Sequence, residues 1–594
     1  MKRFLPSVSW TAVGLRGQSK TSTSHQAFLA ALEQGDKPSR AFSLLLWGGC
    51  IAEALARGAL PDWQVEHVLY QSGLHERPQI PVGKSYDALI LALSFRTVMG
   101  QAAQRLLGFH DADLLALRSL PAEESLPVAK EILQELLQNV SEGVDGRFPV
   151  LLPSFVEPPP SETGLFQARG PQSLYRMARD LNDHLAATAT DQNGVFYLET
   201  NDLLRRHGDL RIYDGYDLCF AHAGLRHTKK SAFYSALFAR IELMLEALAT
   251  DRQQPVKAII TDLDNTLWKG VLAEMDEVVP GDHTEGWPIG YAEALLTCKR
   301  RGIVLAICSK NDDAQTRVNF DKVWYGRLRL DDFASIRINW RPKSENIREI
   351  LAELNILPEH ALFIDDNPLE IAEVQRAFPQ MRTLSGDPHR WRMELIYGVP
   401  TQVPRLSEEA ARRTELLQAK VQREQMAATA TDREGYLRDL QLRAEIRSIT
   451  VDDKSFDRAL ELINRTNQFN TTGQRWTAAE LRQFQEAGGR LWILRAADRF
   501  AEHGIVGVAL LQSGRLRQMV LSCRVFGLGL EDAFLAYLLT EKASPESLWA
   551  NWQDTGRNAT ARQFLERQFA PEEDGESWVL HTAPEWPGHI SGSA

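Results

Sequence analysis

The sequence predicts a multidomain α/β protein, and three observations lead there. At 594 residues the chain is too long for one hydrophobic core, so roughly two to four domains are expected. Short apolar runs alternate with segments of helical period twice along the chain, the pattern of parallel sheets covered by helices. From Leu442 that regular alternation gives way to an α+β pattern.

Residues 1–249 form the first expected domain. Its start, to residue 40, is polar and Ser/Thr-rich and reads as partly loose. Phe42–Trp47, Val65–Tyr70 and Ala88–Leu93 read as short buried strands. Phe148–Leu152 is a weaker strand, because Pro149 has no N–H for a ladder. Val195–Leu198 is the fifth. Ala129–Val140 and Leu174–Ala187 have helical period, Pro158–Pro160 mark a loop, and Lys230–Ala249 reads as an amphipathic helix leading onward. The second α/β domain, 250–405, has strands at Val256–Thr261, Ile303–Cys308, Ser335–Ile338 and Ala361–Ile364. Helical segments Tyr291–Arg301, Asp312–Phe320 and Glu345–Leu354 fall between them. Residues 406–440 read as a charged helical linker or brace. Residues 441–582 form the α+β domain, with helices at Phe456–Asn464 and Leu530–Leu539 and strands at Arg490–Ala496 and Gly504–Leu511. The tail, 583–594, is expected to be disordered.

Composition narrows the function classes. Hydrophobic residues make up 44% and charged residues 24%, with a net charge of −11; an acidic globular chain lacks the basic footprint of a nucleic-acid binder. No apolar run reaches membrane-spanning length, and no secretory signal is expected at the start, where Pro6 and Ser7 interrupt the apolar residues. Five cysteines without metal spacing point to free thiols and a cytoplasmic setting.

The chemistry concentrates where the second domain's strands end. Asp262-Leu263-Asp264-Asn265-Thr266 follows the first strand, Cys308-Ser309-Lys310-Asn311 the second, Lys343 opens a helix after the third, and Asp365-Asp366-Asn367-Pro368 follows the fourth. In a parallel sheet all four converge at the carboxyl edge. Carboxylates that close repel and need a proton or a cation between them; Mg²⁺ beside a phosphate suits such hard oxygen ligands. Phosphoryl transfer uses these groups: Asp262 as nucleophile, Asp264 as acid/base, Asp262, Asp264, Asp365 and Asp366 around the metal, and Ser309, Lys310, Asn311 and Lys343 on phosphoryl oxygens. Which of Asp365 and Asp366 touches the metal directly is open. Taken singly, each piece has a bland reading: a turn, a surface lysine, a core thiol at Cys308.

Together these residues resemble the haloacid dehalogenase (HAD) superfamily, and more closely its FkbH-like branch, subclass IIIC. The resemblance rests on Asp262–Trp268 with Gly270–Val271, Ile307–Asp312, Asn339–Trp340 with Lys343 and Asn346–Ile347, and Phe363–Pro368. It continues through Glu461–Asn470, Asp498–Phe500, His503–Gly504 and Leu521–Gly527. It implies that a glyceryl unit from 1,3-bisphosphoglycerate is taken, dephosphorylated and loaded as a thioester on an acyl carrier protein for polyketide-type biosynthesis. Cys308 would first accept the acyl group, with Lys310 favouring its thiolate. Lys269 stands where the family usually has glycine, and Ala273–Asp276 also departs from its pattern. Two rival readings stay open: a small-molecule phosphatase without acyl transfer, and a scaffold that binds carrier proteins.

The α+β domain resembles the acyl-CoA N-acyltransferase (GNAT) fold. Arg524-x-x-Gly527-x-Gly529 matches that fold's phosphate-binding turn and is expected to bind pantetheine on a carrier. Cys523 reads as core rather than catalytic, and His503 as a satisfied loop histidine rather than a base. The first domain loosely resembles SGNH-hydrolase-like (flavodoxin-like α/β) domains. Gly48–Glu53 occupies the first strand-to-helix turn without a clear hydroxyl nucleophile; Cys50 could replace it or be a buried small residue. His222 and His227, near Asp214 and Asp217, could be the remains of a dyad. A non-hydrolytic role in carrier docking or dimerisation is expected.

Overall fold

The computed structural model describes residues 41–593 apart from 60–61, 70–76, 79, 81–82, 108–120, 158–172, 192–193, 208–231, 272–278, 407–411, 431, 541–547, 573–575 and 582. The readings of residues 1–40, Pro158–Pro160, Asp214, Asp217, His222, His227 and Ala273–Asp276 lie outside the described residues. The chain divides into two compact units, Met1–Leu245 and Glu246–Ala594.

The first unit is built on strands β1 (Ser43–Gly48), β2 (Gln64–Leu69), β3 (Ala88–Ala92), β4 (Val150–Pro153) and β5 (Val195–Leu198). They form one parallel sheet in the order β2-β1-β3-β4-β5. The apolar runs of β1 and β3 are buried because helices cover both faces of a parallel sheet. β2 differs from expectation: it is the edge strand and largely exposed, which its Gln64, Glu66 and His67 tolerate. At the β1 exit, a Cβ on Gly48 would sit 2.0 Å from the Ala92 carbonyl oxygen, so only glycine fits there. The helix Ala232–Gln253 also differs from the amphipathic expectation. Phe233, Tyr234, Ala236, Leu237, Phe238, Ala239 and Ile241 are all buried, so its first half is apolar on every side rather than on one stripe.

The second unit opens with β6 (Ala258–Thr261), β7 (Val304–Ser309), β8 (Ser335–Ile338), β9 (Ala361–Ile364) and β10 (Arg382–Leu384). This sheet is also parallel, in the order β10-β9-β6-β7-β8. β6 is therefore central, and the chain leaves it first towards β7 and β8, then returns to β9 on its other side. Such a reversal opens a crevice beyond the carboxyl ends.

Eight further strands form a mixed sheet in the order β16-β17-β15-β14-β13-β12-β11-β18. They are β11 (Leu442–Ile449), β12 (Arg490–Ala497), β13 (Glu502–Gln512), β14 (Arg515–Leu521), β15 (Trp549–Asn551), β16 (Phe569–Pro571), β17 (Ser577–Leu580) and β18 (Ile590–Ser593). The last corrects the disordered-tail expectation: β18 pairs in parallel with β11. Ile590 is buried, and Trp586 packs on the same core and donates to the Ile590 carbonyl at 2.8 Å. Two apolar anchors among Gly, Pro and Ser were enough to order the segment.

The charged segment after Arg405 contains the helices Arg413–Thr429 and Arg433–Asp439. The first braces the unit. Leu417 joins the core beneath β6 and β7, and Gln418 donates to the Asp331 and Phe333 carbonyls. Six residues on, buried Arg423 meets Asp498 at 2.6 Å, His503 Nε2 at 2.8 Å and the Arg524 carbonyl at 2.6 Å. His503 lies on β13, fully buried and 2.9 Å from Asp498, rather than in a loop.

Removing one member of a buried ion cluster strands the others. Arg423→Ala is expected to cost ~3–5 kcal/mol, read as a lowered unfolding midpoint. Burial would raise the Asp498 carboxyl, but the His503 hydrogen bond and the Arg423 charge hold it well below its usual range; burial pushes His503 down. Both shifts let the unfolded chain bind more protons. Stability is therefore expected to fall as pH drops, first through the ordinary histidine value near ~6.5 and further below the ordinary aspartate value near ~3.9. Urea titrations between pH 8 and 4 check the direction.

Candidate active site

The four strand-end segments do meet. Asp262 follows β6, with its N–H bonded to the Ile364 carbonyl at 3.0 Å, which ties it to the end of β9. Asp365 and Asp366 follow β9. Lys343 is the first residue of the helix Lys343–Leu354, which starts directly after Pro342. Its ammonium lies 2.9 Å from Asp262 Oδ1 and 2.5 Å from Asp365 Oδ2, with all three groups buried. The surface-lysine reading is thereby excluded. Burial would lower the Lys343 pKa, but the charges of Asp262 and Asp365 raise it above its usual value. Burial, then the charge of Asp262, pushes Asp365 up.

Asp262, Asp365 and Asp366 each present an oxygen within 4.8 Å of the others. Asp366 is exposed; its backbone N–H donates to Thr266 Oγ1 at 3.1 Å, and that hydroxyl lies 3.3 Å from its carboxylate. Asn367 N–H donates to Asp365 Oδ1 at 2.9 Å. Three carboxylates gather around one ammonium that contacts Asp262 and Asp365, so with all three ionised two negative charges stay uncompensated. Each close pair repels by roughly 3–4 kcal/mol at an effective dielectric of about 20. An all-oxygen donor set of this charge fits a hard divalent cation such as Mg²⁺. The set brings Asp262, Asp365 and Asp366 together without Asp264.

Asp264 is held otherwise. Trp268 Nε1 donates to its Oδ1 at 2.8 Å and Asn311 Nδ2 to its Oδ2 at 2.7 Å. Asn265 turns the chain directly after Asp264 with φ 52°, a left-handed conformation that Asn tolerates. Its side-chain oxygen accepts from Gly270 N–H at 2.9 Å and closes the loop. Asp264 is thus pinned by two neutral donors, and Asn311 reaches Asp264 in this structure. Ser309 is buried at the end of β7. Lys310 Nζ bonds Glu370 at 2.7 Å, so it lies against a carboxylate that the sequence reading did not include. Glu370 and Trp268 are the two missed neighbours. Trp268, four residues after Asp264, carried a local signal; Glu370, sixty residues from Lys310, carried none.

Cys308 departs from the expectation of a poised thiolate. Val304, Ala306 and Cys308 alternate onto one face of β7, in the apolar layer with Ile347, Ile350 and Phe363. The thiol is fully buried and lies 3.8 Å from the Lys343 carbonyl. Burial pushes its pKa far up, against the lowering effect of Lys343. A thiolate there would be a charge in an apolar layer.

At the C-terminal sheet, Arg524 sits in the short turn Cys523–Val525 with its Nε on Ser522 Oγ at 3.0 Å. Gly527 and Gly529 have φ 74° and 79° and precede the helix Leu530–Thr540. The tail lies over this turn: His589 Nε2 is 2.9 Å from the Leu528 carbonyl oxygen. Of the first unit's candidates, Cys50 opens the helix Cys50–Gly58, and its side chain lies outside what is described.

No family model and no curated protein matches the chain. Among solved structures it is similar to the N-terminal part of the protein BF1531 from Bacteroides fragilis, which contains a phosphatase domain and is complexed with Mg. Identity is 20% over 63% of this chain and 97% of that one, with a TM-score of 0.41. An uncharacterized protein from Corynebacterium glutamicum matches at 10% identity over 25% of this chain and 97% of its own, with a TM-score of 0.19. Likenesses this distant leave function to the site itself.

The buried thiol gives a direct test. Iodoacetamide at pH 8 is expected to leave Cys308 unlabelled in the folded protein and to label it fully in guanidinium, read by peptide mass spectrometry. Rapid labelling of the folded protein at Cys308 would contradict this placement.

Proposed function

We propose that this protein is a Mg²⁺-dependent phosphohydrolase of the HAD type, with Asp262 as nucleophile. The observation that carries the reading is the buried Asp262–Lys343–Asp365 bridge beside Asp366, at the carboxyl edge of a parallel sheet. Asp262, Asp365 and Asp366 would hold the metal, which supplies charge compensation when an anionic phosphate meets these acids. The remaining steps belong to the chain. Asp262 attacks phosphorus, forming an aspartyl phosphate as the bond to the leaving oxygen breaks, and Asp264 gives that oxygen its proton. Asp264 then takes a proton from water, which attacks the phosphorus and releases inorganic phosphate and free Asp262. Trp268 and Asn311 fix the direction of Asp264 throughout. Lys343 and Ser309 face the phosphoryl oxygens in this reading.

A finer version adds acyl transfer: a glyceryl unit from 1,3-bisphosphoglycerate passes through Cys308 to the phosphopantetheine thiol of an acyl carrier protein, with Arg524, Gly527 and Gly529 receiving that arm. The proximity of Cys308 to Lys343 supports it. The burial of the thiol weighs against it, since the sulfur must leave its apolar layer to react. Phosphate-ester hydrolysis needs no such movement and is the preferred reading.

Hydrolysis of p-nitrophenyl phosphate should require Mg²⁺ and stop with EDTA. Asp262→Asn should lower kcat by at least about a thousandfold without changing the melting temperature by more than a few degrees. Full activity in that variant would reject the reading. Cys308→Ala should keep the phosphatase rate within about threefold, at a stability cost of roughly 1 kcal/mol. If a holo-carrier gains a glyceryl thioester with the wild type but not with Cys308→Ala, the finer version stands.

A further inference from the structure

A second cavity, of about 370 Å³, lies at the other end of the β6–β10 sheet, where the C-terminal sheet meets it. Lys257, immediately before β6, forms part of its wall, whereas Asp262 follows the far end of β6. Five residues of extended chain separate them by ~16 Å, so the cavity is not the phosphatase crevice. Residues from both sheets close it. Asn355 and Gln468 exchange side-chain hydrogen bonds at 2.8 and 2.6 Å, and Arg557 meets Glu359 at 3.4 Å.

The wall is strongly cationic in a chain of net charge −11. Lys257, Arg413, Arg458, Arg465, Arg524 and Arg557 line it, against the single carboxylate Glu461. Some of this charge is compensated: Arg458 and Arg465 share Glu461 at 2.6 and 3.1 Å, and Arg465 also meets Asp251 at 2.6 Å. Among the described residues, two cations, Lys257 and Arg413, have no carboxylate in contact, and Glu461 acts on Arg413 only as a more distant charge. The only hydrogen bond of the Arg413 guanidinium among those residues is a long one, 3.5 Å, to the Gly302 carbonyl. Burial, then the charge of Arg413, pushes Lys257 down to about 7. Burial, then Arg465, pushes Arg413 down to about 10. Crowded, half-buried cations cost free energy unless an anion joins them. Ser522, Cys523 and Asn467 add polar groups from the C-terminal domain.

We propose that this cavity is a second ligand site, independent of the Asp262 centre, which binds an organic phosphate carrying two or more negative charges. A planar guanidinium such as that of Arg413 can take two phosphoryl oxygens at once, and Lys257 adds a point charge. The volume admits a small phosphorylated metabolite or the phosphorylated end of a larger one.

Cys523 reports on occupancy, because it lines the cavity while Cys298 and Cys308 are buried. The probe is inorganic pyrophosphate, added to the full chain with EDTA so that hydrolysis is off, and the readout is the rate of iodoacetamide labelling at the Cys523 peptide. Pyrophosphate is expected to slow that rate about tenfold when present near ten times its Kd, with sodium chloride of equal ionic strength having little effect. Asp262→Asn should leave the protection intact. Arg413→Gln should abolish it while keeping the melting temperature and the phosphatase rate; Lys257→Gln is the second variant should Arg413→Gln fold poorly. Absence of protection in the wild type, equal protection by sodium chloride, loss of protection in Asp262→Asn, or full protection in a folded cavity variant would each overturn the proposal. None of these outcomes depends on whether the Asp262 centre hydrolyses phosphate esters.

Discussion

One ammonium between two buried carboxylates sets the terms for the domain built on β6 to β10. Without Lys343, Asp262 and Asp365 would face each other across the ends of β6 and β9 with their charges uncompensated in a poorly solvated crevice. With it, they stay close but still underbalanced, since Asp366 adds a third acid to the same few ångströms. On the proposed reading, that residual charge receives a divalent cation and the fixed ammonium a phosphoryl group. Both roles come from the same imbalance.

The fold produces this arrangement through topology. Because β6 is central and the chain reverses from β8 to β9, the ends of β6 and β9 are hydrogen-bonded neighbours. The helix after β8 begins at the same edge and aims Lys343 back across the sheet. The opposite edge of that sheet faces the C-terminal domain, and there the balance inverts: cations crowd together with few acids. One sheet thus separates an acid-rich crevice from a base-rich cavity.

Much of this was legible in the sequence, and the failures have physical causes. The apolar runs of β6, β7 and β9 are fully buried in a parallel sheet, so they read clearly, and the acids at their ends followed. β10, at Arg382–Leu384, is a half-buried edge strand of three residues with no periodic signal. The strands β11 and β14 to β17 were also missed: β15, β16 and β17 have only three or four residues, too few to show a period, whereas β11 and β14, the latter the second arm of a hairpin with β13 across Ser513–Gly514, were long enough to read. The burial of Cys308 was not read although the information was present. Its spacing from Val304 and Ala306 places it on their face of the strand, under a helix, whereas nearness in sequence to Ser309 suggested the crevice. The partners of Lys310 and Asp366 needed the fold, since Glu370 and Thr266 come from distant segments.

The central claim is that Asp262, Asp365 and Asp366 form one cation site. The most direct measurement is Mn²⁺ binding followed by electron paramagnetic resonance, in the wild type and in Asp262→Asn, Asp365→Asn and Asp366→Asn. One tightly held ion per chain, displaced by Mg²⁺ and weakened at least about tenfold in each variant, is the predicted result. Binding of equal strength in all four proteins, or none in the wild type, would contradict the account.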